Sequence, residues 1–500
     1  MNLNLVLNTL GKLLLLIGGC MVIPLCISYA QDGVDFVPFE ITFIITILTG
    51  LFLRYMITPE NKHFSYREAF AISVFAWFSI GFFSCLPMVL TDVMGYQALF
   101  HNADQDPSFI VAFINSYFEA ISGITATAAT IVTDIEALPD ALLFWRCFQN
   151  WLGGMGIIVL FVAILPSLGT AGSKLFRSEA SFSVSESQSA YPKIADMAKM
   201  IWLLYSGLSI ILLILLLICG MTFFDAICHT FSAMATGGFS SKNASVGYFN
   251  SIPIEIIIIL FMLINGMNYM LIRQAFYGKI KSVISNTEFK VYISILTFAV
   301  LTATIANYFF RTDNSFLSEL RETSFNIISM GTSTGLSTGD YDQWSAYSKI
   351  ILIMIMIIGG CGGSTTGGLK VIRAVIFFKW IQREFKRMIN PHGVFPILIK
   401  ENAIENKTLD AAVSFTILYI LTILGFGLLL SVFENDVITC FTGALACISN
   451  MGPGFGIIGP TDNYASLALP TKFILTIAMV IGRLELMAFY LLFTPKVWTK

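Results

Sequence analysis

Stretches of about twenty apolar residues, the length a helix needs to cross a hydrocarbon core, recur along the 500-residue chain from its first twenty residues to its last thirty. So many could not all be buried in a water-soluble core. Only 12% of the residues are charged and the mean hydropathy is +0.78, whereas soluble globular domains carry about 25% charged residues. The sequence therefore reads as a polytopic membrane protein. Candidate spans are 5–27, 38–57, 68–91, 139–166, 197–222, 250–273, 288–310, 345–380 with an interruption, 409–433 and 469–493. Ten spans leave both termini on one side. Ser28-Tyr29-Ala30 has the small-x-small look of a signal cleavage site, but only Lys12 precedes it as a basic residue, so the stretch reads as a retained span.

Most of the 29 Lys and Arg residues fall on the side of the termini, in the loops around 54–67, 174–199, 273–290 and 370–407. The other side collects acids such as Asp92, Asp134, Glu136, Asp340, Glu434 and Asp462. The positive-inside rule then makes the termini cytoplasmic, and an acidic outer face concentrates cations at a pore mouth. The nine cysteines lie in or beside apolar segments with no C-x-x-C pair, and read as small buried hydrophobes.

After the first two spans one pattern occurs four times: a long span, a short amphipathic segment, a small-residue turn, then another span. The short segments are 109–122, 223–234, 316–330 and 435–449, each too short to cross. The turns follow at Thr125-Ala-Thr-Ala-Ala129, Ala235-Thr-Gly-Gly238, Thr332-Ser-Thr-Gly335 and Asn450-Met-Gly-Pro-Gly454. Ala128, Gly237, Gly335 and Gly452 are taken as equivalent points. Such repeats in a membrane chain imply pseudo-symmetry around a site. Non-helical backbone at membrane depth persists only where protein or a wet cavity satisfies its polar groups, and four turns with carbonyls aimed at one axis supply the oxygen cage a dehydrated monovalent cation needs. Each short helix would also direct the partial negative charge of its C-terminus toward the cavity beneath.

At these residues the sequence resembles the Trk/Ktr/HKT superfamily of cation transporters, and above all the TrkH-type membrane subunits of bacterial Trk potassium uptake systems. The resemblance covers essentially the whole chain. Phe118-Glu-Ala-Ile-Ser-Gly123, Gln149-Asn-Trp-Leu-Gly-Gly-Met-Gly156, Ala235-Thr-Gly-Gly-Phe-Ser240, the run from Gly359 to Lys370, Asn450-Met-Gly-Pro-Gly454 and Gly482-Arg-Leu-Glu485 carry it. It implies an all-α membrane fold of four pseudo-symmetric helix/pore-loop/helix repeats around a central pore, plus two N-terminal transmembrane helices. The units would be 1–66 for the N-terminal pair, 67–170, 190–280, 285–390 and 405–500 for the repeats. It implies further that K⁺ is the transported ion, held by backbone carbonyls of Ala126, Thr127 and Ala128, of Ala235, Thr236 and Gly237, of Ser333, Thr334 and Gly335, and of Asn450, Met451 and Gly452. The resemblance also implies a bacterial inner-membrane location, a homodimer and a TrkA-like cytosolic nucleotide-binding regulator. Ala128 stands where the family usually has glycine, a departure that in plant relatives accompanies Na⁺ permeation, so Na⁺ passage stays open.

The eighth span is interrupted by Gly359-Gly-Cys-Gly-Gly-Ser-Thr-Thr-Gly-Gly368, too glycine-rich for a straight helix. It does not match the G-x-x-x-x-G-K-[ST] phosphate loop. A glycine-lined packing seam is the plain reading. The resemblance implies instead an intramembrane gating loop, Gly359, Gly360, Gly362, Gly363, Ser364, Thr365, Thr366, Gly367 and Gly368, opposed by Arg483 in the ion path. A buried pair of Arg483 with Glu485 or another acid is the alternative, because an intramembrane charge is costly unless partnered. Glu119 on the first short segment is expected to brace the turn through backbone amides, and His229 to pack.

No stretch has the pattern of a nucleotide-binding domain, so regulation would come from another chain docked on the basic loops, which could equally meet anionic lipid. Nothing calls for an organic cofactor or for nucleic acid. The four His residues lie at no ligand spacing, which argues against an enzyme. A secondary transporter of another small solute, or ion-coupled K⁺ movement, is the competing reading, since broken helices and repeats serve those too.

Overall fold

A computed structural model describes residues 2–59, 66–94, 108–156, 194–311, 315–399 and 402–495. The expected end of the fourth span and most of the basic loop at 174–199 lie outside these residues. The described chain is helical apart from a two-stranded pairing of Leu398–Ile399 with Asn402–Ala403.

Helices α1 (Leu3–Ala30) and α2 (Phe36–Met56) pack along each other. Asp35 locks their junction by accepting from Ser28 Oγ and, 3.2 Å away, from the Leu142 amide. The first repeat comprises α3 (Tyr66–Val93), the short α4 (Phe109–Ile124) and α5 (Asp140–Gly154). The second comprises α6 (Ile194–Ile218), the short α7 (Phe223–Ala235), α8 (Ile252–Asn265) and α9 (Tyr269–Phe276). After α10 (Ile280–Ser285) the third follows with α11 (Thr287–Phe310), the short α12 (Phe316–Gly331), α13 (Ala346–Ile358) and α14 (Val371–Ile389). The fourth has α15 (Asn406–Leu430), the short α16 (Val437–Ile448), α17 (Leu469–Arg483) and α18 (Met487–Leu492). This is the all-α, fourfold-repeated membrane fold with two leading helices.

Among the described residues six helices are long and apolar enough to cross a membrane unbroken: α1, α2, α3, α6, α11 and α15. Large side chains such as Phe52, Leu203, Phe298 and Leu421 stay exposed on them, as expected of a lipid-facing surface. The short helices are instead buried on most sides. Thr222, Ser315 and Asp436 cap α7, α12 and α16 by accepting from amides of the first turn, each cap contributing about 1 kcal/mol.

Two expected spans are not continuous. The 250–273 span bends by 109° between α8 and α9, where the Gly266 carbonyl accepts from Cys361 N and the Tyr269 amide donates to Gly363 O. Backbone groups freed by the break are thus satisfied by the glycine-rich segment of the next repeat. The 469–493 span breaks between α17 and α18, with Glu485 and Leu486 in left-handed backbone (φ 51° and 55°).

Candidate functional site

The four turns after α4, α7, α12 and α16 share one backbone construction. Thr127, Gly237, Thr334 and Met451 each donate an amide hydrogen bond of 2.7–2.9 Å back into the preceding helix, to Ser122, Ser232, Ser329 and Ala446. The residue before each is left-handed: Ala126 (φ 55°), Thr236 (52°), Ser333 (48°) and Asn450 (51°). The residue after each is left-handed again: Ala128 (67°), Gly238 (68°), Gly335 (81°) and Gly452 (89°).

This corrects the second repeat by one residue. Gly238, not Gly237, is the counterpart of Ala128, Gly335 and Gly452, and the segment in register is Thr236-Gly237-Gly238. Ala235 ends α7, and its carbonyl accepts from the Thr236 hydroxyl at 2.6 Å. Two consecutive glycines leave the register ambiguous in sequence; only the amide bond to Ser232 resolves it. The other three expected triads coincide with the turns.

The turns converge. A side chain on Gly238 would strike the Thr334 carbonyl oxygen, one on Gly335 that of Met451, and one on Gly452 that of Thr127. All three would also lie within 3.0 Å of the Ala128 methyl. The glycine faces of the second, third and fourth repeats therefore close on the one β-carbon, that of Ala128, contributed by the first. Asn450 joins repeats across this ring, donating to Thr127 Oγ1 at 2.9 Å, and Tyr464 donates to the Gly452 carbonyl at 2.5 Å.

Each short helix ties down the strand that leaves its turn. Glu119 accepts from Ile131 N and Thr130 Oγ1, both at 2.9 Å, and from Arg146. His229 bonds Ser240 Oγ at 3.0 Å through Nε2 while its Nδ1 donates to the Asp225 carbonyl. Asn326 accepts from Thr338 N at 3.4 Å, and Thr442 from Phe455 N at 3.1 Å.

On one side of the ring a cavity of about 110 Å³ is lined by Ala128, Thr130, Gly238, Lys242, Gly335 and Asp462. On the other side a cavity of about 70 Å³ is lined by Gly154, Thr365, Lys370, Asn450, Arg483 and Glu485. The segment Gly359–Gly368 sits between α13 and α14 with its ends zipped, Leu369 and Lys370 amides donating to Ile357 and Ile358 carbonyls. It touches the turns directly: Gly367 N donates to Ser333 Oγ at 2.7 Å, and Thr236 Oγ1 lies 3.2 Å from Thr365 Oγ1. Gly362 N donates to Glu288 at 2.6 Å, and Lys370 Nζ to the Thr366 carbonyl.

Glu485 pairs with Arg373 at 2.5 Å, while Arg483 reaches backbone carbonyls. Its guanidinium donates to the carbonyls of Gly153 and Gly154, where α5 ends, and to Thr365 O at 3.1 Å. Sequence reasoning missed Gly238, Tyr464 and Arg146. The fixed distance from Glu119, His229 and Asn326 to their turns is the signal that would have placed Gly238.

Comparisons with known proteins agree over the whole chain. The family described as "TrkH: Cation transport protein" matches residues 38–500. The "Trk system potassium uptake protein TrkH" of Salmonella typhimurium is 35% identical over 490 residues, 98% of each chain. That of Halomonas elongata is 34% identical over 503 residues, all of both chains. The crystal structure of the potassium transporter TrkH from Vibrio parahaemolyticus superposes with a TM-score of 0.86 at 30% identity, covering 100% of both chains.

Proposed function

The chain belongs to the TrkH family of cation transport proteins, and from that premise we propose that it takes up K⁺ across the bacterial inner membrane through the ring of four turns. The observation that carries this reading is the convergence of left-handed turns, each glycine face against a neighbouring turn's carbonyl oxygen. Such backbone can replace an ion's hydration shell with carbonyls of Ala126-Thr127-Ala128, Thr236-Gly237-Gly238, Ser333-Thr334-Gly335 and Asn450-Met451-Gly452. Acids on the outer loops attract the ion.

In the same reading the Gly359–Gly368 loop is a gate beneath the ring. Arg483 holds it through Thr365 and adds a positive barrier in the ion path. The N-terminal pair 1–66 stands outside four pore repeats at 67–170, 190–280, 285–390 and 405–500. Both termini are cytoplasmic, two copies assemble with one pore each, and a TrkA-like nucleotide-binding ring acts on the cytoplasmic loops to move the gate. The Ala128 methyl in the ring favours a second reading, in which Na⁺ also passes.

The test is expression in cells lacking K⁺ uptake, with growth and Rb⁺ influx followed at low K⁺ with and without excess Na⁺. K⁺-dependent rescue that resists Na⁺ is expected. Absence of any monovalent flux from well-expressed protein supplied with its partner overturns the proposal, and Na⁺ competition establishes the second reading.

A further inference from the structure

The first turn differs from the other three in carrying no glycine at either left-handed position, since Ala126 and Ala128 occupy both (φ 55° and 67°). A β-carbon in that conformation is strained, and persists only where the surroundings over-determine it. The tie between short helix and outgoing strand also differs here. In the other repeats it is made by His229, beside which Asp225 accepts from Ser241, by Asn326 or by Thr442. In the first it holds a buried ion pair: Arg146 Nε and Nη2 both donate to Glu119 Oε1, at 2.8 and 2.6 Å, with the two side chains about 1% exposed or less.

The pair also bonds to the turn's outgoing strand. Glu119 Oε2 accepts from the Ile131 amide, and Arg146 Nη2 also donates to Thr130 Oγ1 at 3.1 Å. The guanidinium then lies 4.3 Å from the centroid of the Phe239 ring, the residue directly after Gly238, a geometry in which cation and ring attract. Arg146 on α5 therefore holds the outgoing strand of the first turn and touches that of the second. A pair that served only to pack α4 against α5 would not need either strand.

We propose that Arg146 is a positioning residue for the ion-selective ring: through Glu119 it holds the strained Ala128 backbone in register, and through Phe239 it ties the first turn to the second. The proposal rests on reading the four turns as the filter. It makes the ion pair and the missing glycine two halves of one arrangement, so that restoring glycine relieves the need for the pair.

The experiment compares full-length wild type, Ala128→Gly, Arg146→Lys and the double variant, measuring Rb⁺ and Na⁺ influx together with protein level and melting temperature. Arg146→Lys keeps the charge but loses the planar donor set. It is expected to lower the Rb⁺/Na⁺ influx ratio about tenfold, the factor matching the lower range of strain held in one such residue. The double variant is expected to recover the Ala128→Gly ratio. A ratio unchanged in Arg146→Lys, or lowered and not recovered in the double variant, overturns the inference. If Arg146→Lys fails to accumulate, recovery of folded, transporting protein in the double variant supports it and failure of both overturns it. If well-expressed wild type and Ala128→Gly alike carry no monovalent flux, the filter reading itself fails, whatever Arg146 does.

Discussion

Replacing Arg483 with Gln separates a gate from a packing seam. The guanidinium donates to Gly153, Gly154 and Thr365 carbonyls, and the last bond, at 3.1 Å, reaches the Gly359–Gly368 loop. A hydrogen bond to a charged group contributes about 1.5–3 kcal/mol, and each 1.4 kcal/mol is about tenfold in an equilibrium. Loss of the Thr365 bond should therefore shift the balance from the loop's present position toward a displaced one by about 10-fold to 150-fold. Rb⁺ uptake into proteoliposomes without any regulatory partner should rise by at least about tenfold in Arg483→Gln, and less in Arg483→Lys, which keeps a charge and one donor direction. Arg373→Gln is the control, because it removes the 2.5 Å pair with Glu485 without touching Thr365. Unchanged basal flux in Arg483→Gln protein that melts like wild type would refute the argument that this bond holds the loop.

The corrected register makes its own prediction: Gly238→Ala forces a β-carbon to φ 68° against the Thr334 carbonyl and Ala128. It should cost about 2–5 kcal/mol from left-handed strain and overpacking together and abolish uptake, whereas a β-carbon at Gly237 meets the Asn150 side chain first and Gly237→Ala should retain more transport; the reverse order in an uptake assay refutes the register. Tyr464→Phe removes the donor to the Gly452 carbonyl and should lower the Rb⁺/Na⁺ influx ratio at near-normal protein level, an unchanged ratio showing that this carbonyl is held otherwise. Asp436, on the loop before α16, is held below the ordinary aspartate range by the Thr439 hydroxyl at 2.5 Å and by the Thr439 and Ile438 amides. Its stabilising contribution is complete above about pH 4 and fades as pH falls through its lower folded value. Asp436→Ala should therefore lower the melting temperature at neutral pH, and the gap should close in acid; a gap independent of pH counts against the cap.

Length and polarity along the chain were enough to reveal the membrane fold, because a spanning helix must be apolar over about twenty residues wherever it packs. The four short helices were legible too: 109–122, 223–234, 316–330 and 435–449 are amphipathic and too short to cross, and the structure has helices at Phe109–Ile124, Phe223–Ala235, Phe316–Gly331 and Val437–Ile448. The interruption in the third repeat announced itself through its glycines. The breaks at Gly266–Asn268 and Leu484–Leu486 did not: the first is held by backbone bonds to the glycine-rich segment, and at the second two non-glycine residues, Glu485 and Leu486, turn left-handed.

What the sequence by itself determined is the set of elements: a membrane chain, two leading helices, four short helices with small-residue turns, and one glycine-rich segment. Tertiary structure alone decided how these meet. Whether Gly237 or Gly238 faces the ring depends on which amide reaches Ser232, and whether Arg483 pairs with Glu485 or with carbonyls of α5 and the loop depends on helices distant in the chain. Composition and periodicity report how each segment partitions between lipid and protein. Hydrogen-bond partners are chosen among groups far apart in sequence, and only the folded chain brings those groups within reach.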